Sequence, residues 1–63
     1  MKIMDHAAYQ ADCRTKTEAQ LRFIIQGCQE VVKVQSGFNP NIGYYMDEIH
    51  YCSMELARRQ GKK

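Results

Sequence analysis

Two runs of apolar residues with helical spacing constrain this chain more than anything else in it. Leu21, Ile25, Cys28, Val32 and Gln35 step by four, three, four and three positions; Ile42, Tyr45, Ile49, Cys52 and Leu56 step by three, four, three and four. Such steps place every member of a run on one side of an α-helix, in a near-heptad seam. Between the runs lies Ser36-Gly37-Phe38-Asn39-Pro40-Asn41. Gly37 can end a helix in the left-handed conformation. Asn39 is pushed away from helical angles by the proline that follows it, and Asn41 suits the N-cap of the next helix. A connection of about six residues favours antiparallel neighbours. Folding there pairs Leu21 with Leu56, Ile25 with Cys52, Cys28 with Ile49 and Val32 with Tyr45.

A second break lies at Arg14-Thr15-Lys16-Thr17, where Thr15 with Glu18, or Thr17 with Gln20, matches a capping box before an apolar run. The spacing therefore predicts three helices. A short one runs from about Asp5, its N-cap, to about Arg14. The long ones run from about Glu18 to Gln35 and from about Ile42 to Arg59. The first is alanine-rich and too short to be stable alone. The predicted fold is a single all-α domain spanning 1–63: an antiparallel helical hairpin with a short N-terminal helix across it, able to dimerise into a helical bundle.

A chain of 63 residues builds a small core. Disulfides, a metal or self-association often compensate. The three cysteines, Cys13, Cys28 and Cys52, are odd in number and contain no C-x-x-C pair, which argues against a disulfide framework. As seam residues Cys28 and Cys52 act as small apolar groups. A structural zinc site wants four clustered Cys or His ligands, and the five in this chain are scattered. The opening MKIMDHAAYQ turns polar at once, so no signal segment is expected. No run of 18 apolar residues is present to span a membrane. The expectation is a cytoplasmic protein with reduced thiols and no cofactor.

The formal charge is +2, unevenly spread: Arg58, Arg59, Lys62 and Lys63 hold four positive charges, leaving five basic and seven acidic residues in the body. This is not the footprint of a DNA-binding domain. Cations at a helix C-terminus suit its dipole, with residues 60–63 as a basic tail. The antiparallel register also brings Lys16 and Arg22 to that end. A basic cluster of Arg58, Arg59, Lys62, Lys63, Lys16 and Arg22 would bind nucleic acid weakly, with steep salt dependence.

Each long helix has apolar residues left over. On the second, Phe23, Ile24, Gly27, Val31 and Val34 lie beside or behind the seam, and the apolar arc is about 200° wide, beyond the usual stripe. Gly27 costs the helix about 1 kcal/mol relative to alanine and would allow another helix to approach. The first helix, through Ala7, Ala8, Tyr9 and Ala11, can cover part of this arc. On the third, Tyr44 and Tyr51 stack along one flank, with Met54 and His50 nearby. Two outcomes are open for the tyrosines: lying flat on the body, or joining an interface with a second copy or a foreign protein. The candidate partner-binding residues are Tyr44, Tyr51, Met54, His50 and Phe23.

Catalytic and metal-binding patterns are weak. Asp47 and His50 share a helix face, but a di-metal carboxylate site needs carboxylates from four helices. His50 and Cys52 are two apart and point to different sides. The four glycines are dispersed, so no phosphate loop exists. The expectation is a protein that is not an enzyme.

The run NPNIGYYMDEIHYCSMELARR, with TEAQLRFIIQGCQEVV upstream, resembles small proteins of unknown function from tailed bacteriophages. The shared elements are an RFII stretch, an Asn-Pro turn and a GYY-x-DE-I-x-YC-x-x-EL-x-R helix over about 17–59. The resemblance is one of helix faces rather than catalytic signatures. It implies a phage accessory or host-directed protein, located in the host cytoplasm, that acts by binding a protein partner. The expected function is thus a small non-catalytic protein-interaction module and homodimer. The alternative is a nucleic-acid-associated accessory protein using the basic cluster.

Overall fold

A computed structural model of the chain describes residues 3–61. Over these residues the protein is all-α: α1 (His6–Thr15), α2 (Glu18–Gln35) and α3 (Ile42–Gly61). The expected boundaries hold within a residue or two; α3 runs on to Gly61, past the expected Arg59.

Local chemistry accounts for each boundary. Asp5 is extended, and its carboxylate accepts from the Ala8 amide at 3.1 Å, satisfying one of the free donors at the start of α1. Of the two capping boxes the sequence offered, the chain uses the second. Thr17 Oγ1 accepts from the Gln20 amide at 3.1 Å, and Gln20 Oε1 accepts from the Thr17 amide at 2.8 Å. Thr15 instead donates to the Asp12 carbonyl, inside the last turn of α1. The α2 helix stops at Ser36, and Gly37 adopts a φ of 99°, the only positive value among the described residues. The amides of Phe38 and Asn39 fold back onto the Gln35 carbonyl. The Asn39 side chain accepts from the Asn41 amide, and the Asn41 carbonyl receives the Tyr45 amide as α3 begins.

The α2–α3 hairpin is antiparallel, since Leu21, near the start of α2, shares a cluster with Cys52 and Leu56, near the end of α3. Further along, Cys28 meets Glu48, one position from the expected Ile49. The core is smaller than the two seams suggest. Met4, Cys13, Leu21, Cys28 and Cys52 are buried, whereas Ile25, Val32, Tyr45, Ile49 and Leu56 are half-exposed. Two helices share one line of contact, and only a third element can seal its edges.

That element, α1, lies elsewhere than its alanine pattern suggested. It packs mainly on α3, not over the extra apolar arc of α2. Its Tyr9 reaches Glu48 and Cys52, and the carbonyls at its end meet Arg59, so it runs parallel to α3. The reason is polar as much as apolar: α3 offers partners to the Tyr9 hydroxyl, to His6 and to the helix end. The molecule measures 41 × 21 × 15 Å.

Candidate interaction surface

The tyrosine flank of α3 is the strip that α1 occupies. Tyr51 packs against the core cluster and exchanges a 2.9 Å hydrogen bond with His6 Nδ1. Its ring centroid lies 5.6 Å from that of His6, 6.2 Å from Tyr9 and 5.2 Å from His50. Tyr51 is therefore part of the α1–α3 contact, lying against the body as one of the two outcomes open to it, with its hydroxyl paired to His6 near the surface. The cause is the placement of α1, which a one-dimensional pattern does not contain. Tyr44 is half-buried, 6.0 Å from Tyr45 in an edge-to-face pair. With Ile3, Met4 and Tyr9 it lines a shallow groove at the start of α1. His50 is exposed beside Tyr51. Met54 is 51% exposed and lines a cleft of about 240 Å³ between α1 and α3, with Gln10, Arg14 and Arg58. Phe23 is on α2, 77% exposed. The five candidates thus fall in two places: four along the α1 side of α3, and Phe23 on the outer face of α2.

Beneath the first place lies a polar network absent from the sequence reading. Tyr9 donates to Glu48 Oε2 at 2.8 Å and lies 3.7 Å from Cys52 Sγ, while Cys28 donates to Glu48 Oε1 at 3.5 Å. One carboxylate thus joins all three helices. Burial pushes the Tyr9 phenol well above its ordinary range, and its hydrogen bond to Glu48 adds to the shift. Burial, reinforced by neighbouring Cys52, pushes the Cys13 thiol up to about 12. The Cys13 thiol is therefore protonated at neutral pH, and the buried cysteines pack as small apolar groups.

The basic candidates also have internal uses. Arg58 and Arg59 both bind Glu55 at 2.7 Å, and Glu55 is only 6% exposed. These bonds, with Arg58 first and Arg59 second, hold the Glu55 carboxyl down at about 2. Arg59 Nη2 further donates to the carbonyls of Lys16 at 2.7 Å, Cys13 at 3.3 Å and Arg14 at 3.4 Å. These carbonyls end α1, where the backbone supplies a further donor only to Cys13, from the Lys16 amide at 3.2 Å. Arg59 is a clamp between α3 and α1. Lys16 pairs with Asp12 at 3.0 Å and Arg22 with Glu18 at 2.6 Å. Lys62 and Lys63 lie outside the described residues. Among the described residues no group of three or more His, Cys, Asp or Glu side chains is placed to hold a metal ion, and no helix is long and apolar enough to cross a membrane.

The second place is different in kind. On the outer face of α2, Phe23 and Val34 are 77% and 64% exposed, with Val31 half-exposed between them, while Ile24 beside them packs against the core cluster. An open groove lined by Lys16, Ala19, Gln20, Phe23 and Ile24 borders it. Phe38, just past the helix, is 73% exposed. The sequence indicated this arc; the structure removes the element expected to cover it. No known protein family, curated protein or solved structure matches this chain.

Proposed function

We propose that this protein is a small, non-catalytic interaction module that binds a protein partner through the outer face of α2. The observation that supports this reading is the exposure of Phe23 and Val34 on a helix whose opposite face already packs against α3. A contiguous apolar strip on a chain this small carries a solvation cost, about 25 cal/mol for each Å² left in water, and such strips mark contact surfaces. The resemblance to small phage proteins supports a phage or host protein as the partner and the host cytoplasm as the setting. The test is retention of a protein from bacterial lysate on the immobilised chain. Substituting Phe23→Ser with Val34→Ser abolishes retention and leaves the helical circular dichroism unchanged. Equal retention by the double variant would refute this surface.

The nucleic-acid reading stands second. It would use Arg58, Arg59, Lys16 and Arg22 with Lys62 and Lys63. The four described members each hydrogen-bond a carboxylate, so binding a phosphate there competes with an existing partner.

A further inference from the structure

All three cysteines are free thiols and all three are buried. Two of them meet. Cys13 of α1 and Cys52 of α3 share one buried cluster with Leu21, at 1% and 0% exposure. The parallel register of the two helices sets them side by side. The Tyr9 hydroxyl lies 3.7 Å from Cys52 Sγ, and the Cys13 carbonyl receives Arg59. Cys13 stands one turn after Tyr9 on the same face of α1, so its side chain falls abreast of the turn of α3 that begins at Cys52. Cys52 is also the neighbouring thiol that acts on the Cys13 thiol. Cys28 is placed differently: it belongs to α2 and donates to Glu48, while α1 packs mainly on α3. A disulfide needs Cα atoms no more than about 7 Å apart. Helices packed at about 8–10 Å between axes bring facing Cα atoms within that reach, because each lies about 2.3 Å from its own axis.

We propose that Cys13 and Cys52 are a redox pair: a small disulfide oxidises them to a Cys13–Cys52 link that locks α1 onto α3, and reduction releases the lock. The proposal does not depend on the outer face of α2. Cys13 lines the cleft between α1 and α3, and Cys52 lies behind it with no exposed surface, so Cys13 is the first sulfur to react. Its thiolate attacks one sulfur of the small disulfide; that S–S bond breaks, and one small thiol leaves with the proton Cys13 gave up. The Cys52 thiolate then attacks the Cys13 sulfur of the mixed disulfide and displaces the second small thiol, which takes the Cys52 proton. Two protein thiols are oxidised to one disulfide, and one small disulfide is reduced to two thiols. The reaction proceeds as α1 opens, because the seated Cys13 is protonated and covered, and a helix of 10 residues opens at low cost. The link then removes that opening. In the reduced chain the strip of α3 that carries Tyr51 is uncovered whenever α1 lifts; in the oxidised chain it stays covered.

The experiment incubates the folded full chain with glutathione disulfide, blocks the remaining thiols with iodoacetamide and weighs the tryptic peptides. Trypsin places the three cysteines in separate peptides, 3–14, 23–33 and 34–58, so each pairing has its own mass. The expected product is a monomer lacking two hydrogen atoms, with 3–14 joined to 34–58 and with 23–33 alkylated at Cys28. Dithiothreitol restores the thiols. Amide exchange over α1 is expected to be slower in the oxidised chain by about tenfold or more. Cys28→Ser is expected to form the same link, because the third thiol takes no part in it. A link to Cys28, a covalent dimer as the main product, a glutathione that stays on Cys13, or thiols that do not react at all would each overturn the pair. A Cys13–Cys52 link that leaves exchange over α1 unchanged would overturn the lock.

Discussion

At the scale of single residues, Glu55 is the carboxylate whose titration the fold shifts. Its carboxylate is held between Arg58 and Arg59 and titrates at about 2 rather than in the ordinary carboxylate range near 4.5. Unfolding releases it to that ordinary range. Between the two values the unfolded chain binds the proton more readily, so the stability Glu55 contributes is complete above about pH 4.5 and is lost as pH falls toward 2. Chemical denaturation from pH 6 down to pH 2 is expected to show a midpoint falling across that window. In Glu55→Gln the starting midpoint is lower and the part of the acid slope due to this group disappears. An unchanged slope in the variant would show that Glu55 does not couple to folding. The sequence contained the spacing for this triad, since Glu55 stands three and four residues before the arginines. It gave no sign that Glu55 would be nearly buried, or that Arg59 would also turn toward α1.

At the scale of elements, α1 is the part whose existence and whose attachment have different origins. Its existence follows from Asp5 and an alanine-rich run. Its attachment depends on Tyr9 reaching Glu48, on the His6–Tyr51 pair and on the three carbonyls bound by Arg59. A helix of 10 residues has little stability of its own, so loss of the clamp should loosen α1 before the hairpin. In Arg59→Ala, amide hydrogen exchange is expected to speed up by about tenfold or more over α1, the effect of roughly 1.4 kcal/mol in local opening. The amides of α2 should keep nearly their wild-type protection. Uniform acceleration through all three helices would mean instead that α1 and the hairpin open as one unit. The same geometry means that replacing Tyr51 removes an α1 contact.

At the scale of the whole molecule, the chain has very little interior. Leu21 is the largest side chain that is fully buried, and it is joined there by Cys13 and Cys52. Replacing Leu21 by alanine is expected to cost about 2–5 kcal/mol, against a total of about 3–9 kcal/mol for a domain of 63 residues. Urea denaturation should therefore find Leu21→Ala near or past its midpoint without denaturant. A loss below about 1 kcal/mol would mean that the core relaxes around the gap. Such a narrow margin also gives the uncovered α2 face its weight, because an association that favours the folded form adds to apparent stability with the logarithm of concentration.

Helices, caps and the reversal at Gly37 were legible because each depends on residues within four positions of one another: Asp5 with Ala8, Thr17 with Gln20; the Asn39 side chain accepting from the Asn41 amide was not foreseen. The antiparallel hairpin was legible because a short connection leaves two complementary seams only one economical way to meet. The position of α1 was not, since its small apolar residues suit α2 and α3 alike and the choice falls to long-range polar contacts of Tyr9, His6 and Arg59. That choice drew Tyr51 into the α1–α3 contact, engaged the arginines, and left Phe23, Gly27 and Val34 uncovered. Local periodicity tells which side of a helix is apolar; which apolar side remains in water depends on where the third helix lands, and only the tertiary structure decides that.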